Sequence, residues 1–301
     1  MKTLTKWVPA LGWMRGYDAR RDLAGDVSAG LTVAVMLIPQ GMAYAMLAGL
    51  PPVIGLYASV VPLLVYALLG TSRQLAVGPV AMVSLLVATG VGALAEAGSS
   101  EYVLLAVVLA GMVGVLQLAM GVFRLGKLVT FLSHPVISGF TSAAAIIIGL
   151  SQLKHLLGAS IPRSAHLHEL LLSASRALPD TSLPTLAIGA VAVVILLALK
   201  KRAPRFPGAL TVVVLGTLVT WGFGLHEAGV AIGLPTPSVP GFDLAKLSAL
   251  LPTALVISLV GFMESISVAK AFARKNRYEV DANQELVGLG LANVAGFFFG
   301  G

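Results

Sequence analysis

Apolar residues in this chain run in long unbroken stretches, and polar residues collect between them. A bilayer core of about 30 Å takes roughly 20 helical residues to cross. That ruler places membrane spans near 25–48, 52–70, 79–95, 102–122, 134–152, 183–199, 207–223, 248–272 and 284–300. Residues 1–23 precede them as a cytoplasmic segment, and 24–301 read as one transmembrane domain. Only Thr71–Val77 separates the second span from the third. A longer loop, Lys154–Leu183, follows the fifth, and its Leu167–Leu172 part reads as a surface helix.

The third span breaks the pattern. After Arg73 and Gln74 comes a short Leu75-Ala76-Val77 piece, then Gly78-Pro79 and the apolar run Val80–Val91. Proline fixes φ, lacks an N–H and pushes the residue before it toward extended backbone. The reading is an extended segment that turns at Gly78 and starts a helix at Pro79. The run that follows is too short to cross a bilayer, so this helix begins within the membrane. A helix N-terminus at that depth offers free N–H groups and the positive end of a dipole to an anion. The competing reading is a plain tight turn between two helices.

Composition agrees with the pattern. The chain is 57% hydrophobic and 11% charged, with mean hydropathy +0.93, whereas a soluble domain is about one quarter charged. The apolar runs have helix length and do not alternate, so the fold is all-α and not a barrel. Cysteine is absent, which removes disulfides and thiol chemistry, and Met1–Arg21 holds no apolar core of a signal peptide. The net charge of +7 is organised by topology, not by nucleic acid. With a cytoplasmic N-terminus, sixteen of the 20 Lys and Arg face inside, and only Lys154, Arg163, Arg176 and Lys246 face outside. Such a basic inner face suits an anionic cytoplasmic leaflet.

The first and eighth spans echo each other. Aligning Gly30–Ala45 with Ala254–Ala269 sets Leu31 on Leu255, Gln40 on Glu264 and Ala45 on Ala269. The two spans cross in opposite directions, as an inverted repeat of seven helices requires. The first repeat then covers about 24–225 and a second begins at about 246–301, stopping before its own counterpart of Gly78-Pro79.

Glu264 is the acidic residue placed deep in a span. Its neighbours Leu259, Val260, Phe262, Met263 and Ile266 are apolar, and Gly261 and Ser267 share its face. It could be a packing residue satisfied by a hydroxyl or amide. An ionisable group at membrane depth is costly, however, and marks a transport path or proton relay more often. Gln40 and Tyr44, four apart, share a helix face and can both donate to an oxyanion; packing is the alternative. His134-Pro135, His155, His166 and His168 have no metal-site spacing, and Gly111-Met112-Val113-Gly114 reads as a helix-packing surface. No hydrolase elbow, phosphate loop or zinc motif appears.

Several motifs in order carry a family resemblance. They are Asp22-Leu23-Ala24-Gly25 with Leu31–Ala45, Pro51–Ser59, Gly70–Arg73 followed by Val77–Ala81, and Gly139–Ala145. The chain resembles the SulP family of sulfate permeases, which includes the animal anion exchangers and prestin, over nearly all its length from Asp22. The resemblance implies a fourteen-helix, seven-plus-seven inverted fold with a core bundle and a gate bundle. In it, half-helices three and ten face each other across the anion. Carried over by position, Gln40 and Tyr44 match the first-helix anion ligands, Val80 and Ala81 the backbone donors of the third helix beside Gly78 and Pro79, and Glu264 the acidic position tied to proton coupling. Members often end in a cytoplasmic STAS domain and pair as homodimers. Helices ten to fourteen and the STAS domain have no counterpart in these 301 residues.

The expectation is therefore a non-enzymatic, multi-pass protein of the cell membrane. It would be a secondary active transporter taking up a small inorganic oxyanion, sulfate first, with a proton, by elevator-like movement of core against gate. Its partners are the anion, the proton, the bilayer and a second copy; it takes no cofactor and no nucleic acid. Alternatives are a bicarbonate or dicarboxylate transporter or exchanger, an inactive truncated fragment, an uncoupled anion channel, and an intramembrane enzyme using Glu264.

Overall fold

A computed structural model describes residues 8–126, 142, 146, 149–150, 153–159, 167–202, 211–212, 214–216, 218 and 243–300. Among them the ordered elements are helical. They are α1 (Ala10–Met14), α2 (Ala19–Ala48), α3 (Pro52–Tyr57), α4 (Val61–Leu69), α5 (Ala81–Gly92), α6 (Ser100–Val122), α7 (Leu153–Leu157), α8 (Leu167–Ala177), α9 (Leu183–Arg202), α10 (Leu244–Asn276) and α11 (Ala282–Phe298). The expected spans 134–152 and 207–223, with His134-Pro135, lie largely outside the described residues, as does Gly139–Ala145 apart from residue 142.

Local chemistry sets the ends. Asp18 caps α2 by accepting from the Arg20 N–H, and Gly49 closes it at φ 86°, donating back to Ala45 and Met46. Pro51 follows, with Pro52 at the first helical position of α3. The second span is not continuous: α3 stops at Tyr57 and α4 restarts at Val61. Pro62 has no N–H to return to the preceding turn, so the ladder cannot run through. Ser99 and Asp281 cap α6 and α11 in the same manner as Asp18.

The third span corrects the expectation in detail. No turn forms at Gly78, which does not take a positive φ, and the helix starts at Ala81, not at Pro79. Val80, at φ −128° and ψ 146°, stays extended as the N-cap, the backbone a β-branched residue favours. The twelve residues of α5 span about 18 Å, well short of a bilayer core of about 30 Å.

Contacts divide the chain into two compact units. One comprises Met1–Leu31, Leu37–Ser133 and Ala231–Gly301; the other comprises Thr32–Met36 and His134–Val230. The core of the first unit gathers Val91 of α5, Tyr102, Leu105 and Leu109 of α6, Leu250, Ala254 and Ile257 of α10, and Phe297 of α11. Glycine allows α6 and α11 to meet backbone to backbone. A Cβ on Gly114 would lie 2.7 Å from the Val294 nitrogen, and one on Gly290 would lie 2.5 Å from the Leu118 nitrogen. Lipid supplies no hydrophobic drive for such pairing, so close van der Waals contact must hold it. The Gly111–Gly114 surface is thus a packing seam, as its small residues suggested.

In the second unit the Ser182 N–H donates to the Leu157 carbonyl at 2.8 Å, tying α7 to the start of α9. None of the residues of α9 is buried, although it carries Leu183, Val191, Val194 and Leu197. Five helical passages among the described residues are long and apolar enough to cross a membrane: Ala19–Ala48, Pro52–Leu69, Ser100–Val122, Leu183–Arg202 and Leu244–Asn276.

Candidate functional site

A cavity of about 290 Å³ opens inside the first unit where the third span breaks. One wall is the lead-in Leu75–Val80, which has no regular secondary structure and is extended at Val80, then Val83, Ser84 and Val87 of α5. A second wall comes from Tyr44, Ala45 and Ala48 of α2 with Ile54 and Gly55 of α3. These helices cross in direct contact, since a Cβ on Gly55 would lie 2.0 Å from the Gly41 carbonyl oxygen. The remaining wall is Gln117 of α6, Gly261, Glu264 and Ser265 of α10, and Asn293 of α11.

The α5 terminus is uncapped. No side chain bonds its first turn, and its first backbone return is the Ser84 N–H to the Val80 carbonyl at 3.0 Å. The N–H groups of Ala81, Met82 and Val83 therefore have no intrahelical acceptor. They sit at the end of α5 that bounds the cavity, together with the positive end of the helix dipole.

Polar side chains from α6, α10 and α11 line the same cavity. The Asn293 amide donates to Gln117 Oε1 at 2.9 Å, and Gln117 Nε2 donates to the Ser258 carbonyl at 3.2 Å. Gln117 is 2% exposed, so this chain of bonds is internal. Glu264 is half-buried, and its Oε2 is enclosed without a hydrogen-bond partner among the described residues. Ser267, expected on the same face, instead donates to the Met263 carbonyl at 2.6 Å. Among the described residues no hydroxyl or amide satisfies that oxygen.

Of the residues singled out in the sequence, the structure brings Tyr44, Gly78, Pro79, Val80 and Glu264 to one cavity. Ala81 lies just behind Val80 and does not line it; its N–H, not its side chain, is what the terminus offers. Gln40 is exposed and is not in the wall, because the cavity meets α2 one turn later, from Tyr44 onward.

The sequence reading missed Ser84, Gln117, Ser265 and Asn293, although the cost of polar groups in spans that singled out Glu264 applies to them as well. It also missed Glu285. That side chain is fully buried in the first turn of α11, at the edge of the last expected span.

Helices of membrane length, one of them broken to half length, with a mainly apolar cavity that carries a few polar side chains at the break, define a multi-pass helical membrane protein. The chain belongs to the sulfate permease family, whose sequence profile matches residues 23–301. It is 46% identical over 315 residues to "Sulfate transporter 4.1, chloroplastic" of Arabidopsis thaliana, covering 98% of this chain and 45% of that protein. Two solved structures share its fold at 28% identity. The murine Slc26a9 anion transporter in the inward-facing state has a TM-score of 0.90 over 99% of this chain and 54% of its own. The transmembrane domain of the cyanobacterial bicarbonate transporter BicA has a TM-score of 0.83 over 93% and 73%. The chain spans about half the length of the curated relatives it matches.

Proposed function

We propose that this chain carries the anion-binding cavity of a secondary active transporter that takes up a small inorganic oxyanion, sulfate first, together with a proton. The observation that carries the reading is the uncapped α5 N-terminus at the cavity. Donors and a positive dipole end without a protein acceptor are what an oxyanion requires. Tyr44 adds a hydroxyl donor, and Gln40, exposed one turn before it, serves as an outer ligand. A volume of about 290 Å³ holds an oxyanion with several waters, each occupying roughly 30 Å³ in the liquid. Glu264 is the proton acceptor, placed in the wall with one oxygen unsatisfied.

The first unit acts as the moving core and the second as the gate, a reading supported by the containment of all lining residues within the first unit. The N-terminus is cytoplasmic in a cell membrane. In a seven-plus-seven fold, α2 and α10 are repeat partners and a tenth helix supplies the second half-helix terminus. The functional form is a homodimer. Bicarbonate is the alternative substrate, favoured by the likeness to the bicarbonate transporter domain.

Val80→Asp tests the reading. Aspartate is among the best N-caps, so it satisfies the α5 N–H groups internally and adds a fixed negative charge at the site. Oxyanion binding measured by calorimetry on the purified protein is expected to vanish while the fold is retained. Wild-type affinity in Val80→Asp would remove the α5 terminus from the site. Competition by bicarbonate and by sulfate in the same assay decides the substrate.

A further inference from the structure

Glu285 lies outside the cavity, yet it holds the most elaborate polar cluster among the described residues. Its Oε1 accepts from the Thr71 N–H and the Thr71 hydroxyl, each at 2.6 Å, and from the Ser72 N–H at 3.1 Å. Its Oε2 accepts from the Tyr66 hydroxyl at 2.6 Å. All four are donors, the complement of a carboxylate's acceptor-only oxygens. The helix end does not need this side chain, because Asp281 already caps α11. The clamp continues along the lead-in: the Tyr278 hydroxyl donates to Gln74 Oε1 at 2.6 Å and lies 3.3 Å from the Ser72 hydroxyl. Immediately after Gln74 the chain becomes the wall Leu75–Val80 and then α5.

We infer that Glu285 is a positioning residue for the anion site: it anchors the start of the lead-in and thereby sets the depth and aim of the α5 N-terminus. Six residues reach at most about 20 Å, at roughly 3.3 Å each when fully extended. Where that reach ends depends on where Thr71 and Ser72 are held. Three of the four bonds on Glu285 hold those two residues, which follow directly on the Gly70 cap of α4, while Glu285 itself sits in the first turn of α11. The inference rests on the anion-site reading given under Proposed function.

The test uses a protein carrying this sequence in vesicles, with sulfate uptake kinetics for wild type, Glu285→Gln, Thr71→Val and Tyr66→Phe. An amide cannot accept all four donors. Glu285→Gln should therefore raise KM for sulfate about ten-fold, as expected when bonds to a charged group are lost. Tyr66→Phe removes one donor from the same carboxylate and one partner of Ser72, while the three bonds from Thr71 and Ser72 to Glu285 stay in place. It should lower the melting temperature and leave KM near wild type.

A merely structural role gives the opposite split: fewer active molecules, lower Vmax and unchanged KM in Glu285→Gln. That outcome overturns the inference. If Glu285→Gln does not fold, Thr71→Val decides, with a raised KM in support and a wild-type KM against. If the wild type transports and binds no oxyanion, the functional reading has failed. Hydrogen exchange then settles the positioning alone: faster exchange over Ala76–Ser84 in Glu285→Gln supports it, and unchanged exchange rejects it.

Discussion

Glu264→Gln separates coupling from binding, and its effect can be worked in numbers. Glu264 is the acidic residue among those lining the cavity, so the site offers one proton acceptor. The amide keeps the volume, stays neutral, and cannot carry a proton across. With the membrane potential clamped at zero, one proton per sulfate makes the accumulation ratio follow the proton ratio, about ten-fold per pH unit. At an interior potential of −100 mV the dianion is opposed by roughly 4.6 kcal/mol, at about 2.3 per charge, and the proton returns about 2.3. A one-unit gradient, acid outside, adds about 1.4 kcal/mol, leaving uptake uphill by roughly 0.9 and the ratio near one-fifth.

The assay is radiolabelled sulfate in vesicles with potassium and valinomycin setting the voltage. Wild type should reach the ten-fold ratio at zero potential and fall below unity at −100 mV. Glu264→Gln should exchange sulfate for sulfate at near wild-type rates and accumulate none. Ten-fold accumulation by Glu264→Gln would place coupling elsewhere. A hundred-fold wild-type response per pH unit would require a second proton acceptor.

Other outcomes are expected from the same geometry. Gly55→Ala drives a methyl to within 2.0 Å of the Gly41 carbonyl and should cost about 1–3 kcal/mol or more by overpacking. Gly25→Ala, with nothing within 4 Å, is the neutral control in a detergent thermal melt. Tyr44→Phe and Gln40→Ala should each weaken sulfate binding by about 1–3 kcal/mol, and unchanged affinity for both by calorimetry would return the pair to packing. Asn293→Leu strips the donor from buried Gln117 Oε1 and should cost about 1–3 kcal/mol of stability, read by the same melt. Single cysteines at exposed Ser175 and Lys201 report orientation: an impermeant reagent should label Ser175→Cys and spare Lys201→Cys in intact cells, and the reverse pattern would invert the topology.

The membrane class, five of the expected spans and the short third helix were legible because hydrocarbon imposes one strong rule on length and polarity, and Gly78-Pro79 punctuates it. What escaped the one-dimensional reading was pairing. The start of α5 slipped by two residues because the extended preference of Val80 outweighed the helix-starting tendency of Pro79. Glu285 looked like a residue at the edge of a span; its partners Tyr66, Thr71 and Ser72 lie more than two hundred positions earlier. Gln117 and Asn293, in different helices, meet only once Gly114 and Gly290 let α6 and α11 close. Gln40 and Tyr44 share a face by spacing, yet only the three-dimensional course of α2 shows where along that face the cavity begins.

The lead-in has a consequence for water. Among the described residues, the N–H groups of Ala76, Val77 and Gly78 find no acceptor. In hydrocarbon each such group would cost several kcal/mol, and unpaired backbone at membrane depth persists only within protein or beside water. We infer that the wall from Leu75 to Val80 is hydrated in the membrane, and a solute resting on it then keeps part of its own shell. Discrimination between oxyanions then turns on which waters each must surrender to reach α5, so a strongly hydrated ion is not penalised by its full dehydration. Exchange of inert anions ranked by hydration energy should show a shallow slope, far below that of their transfer into oil.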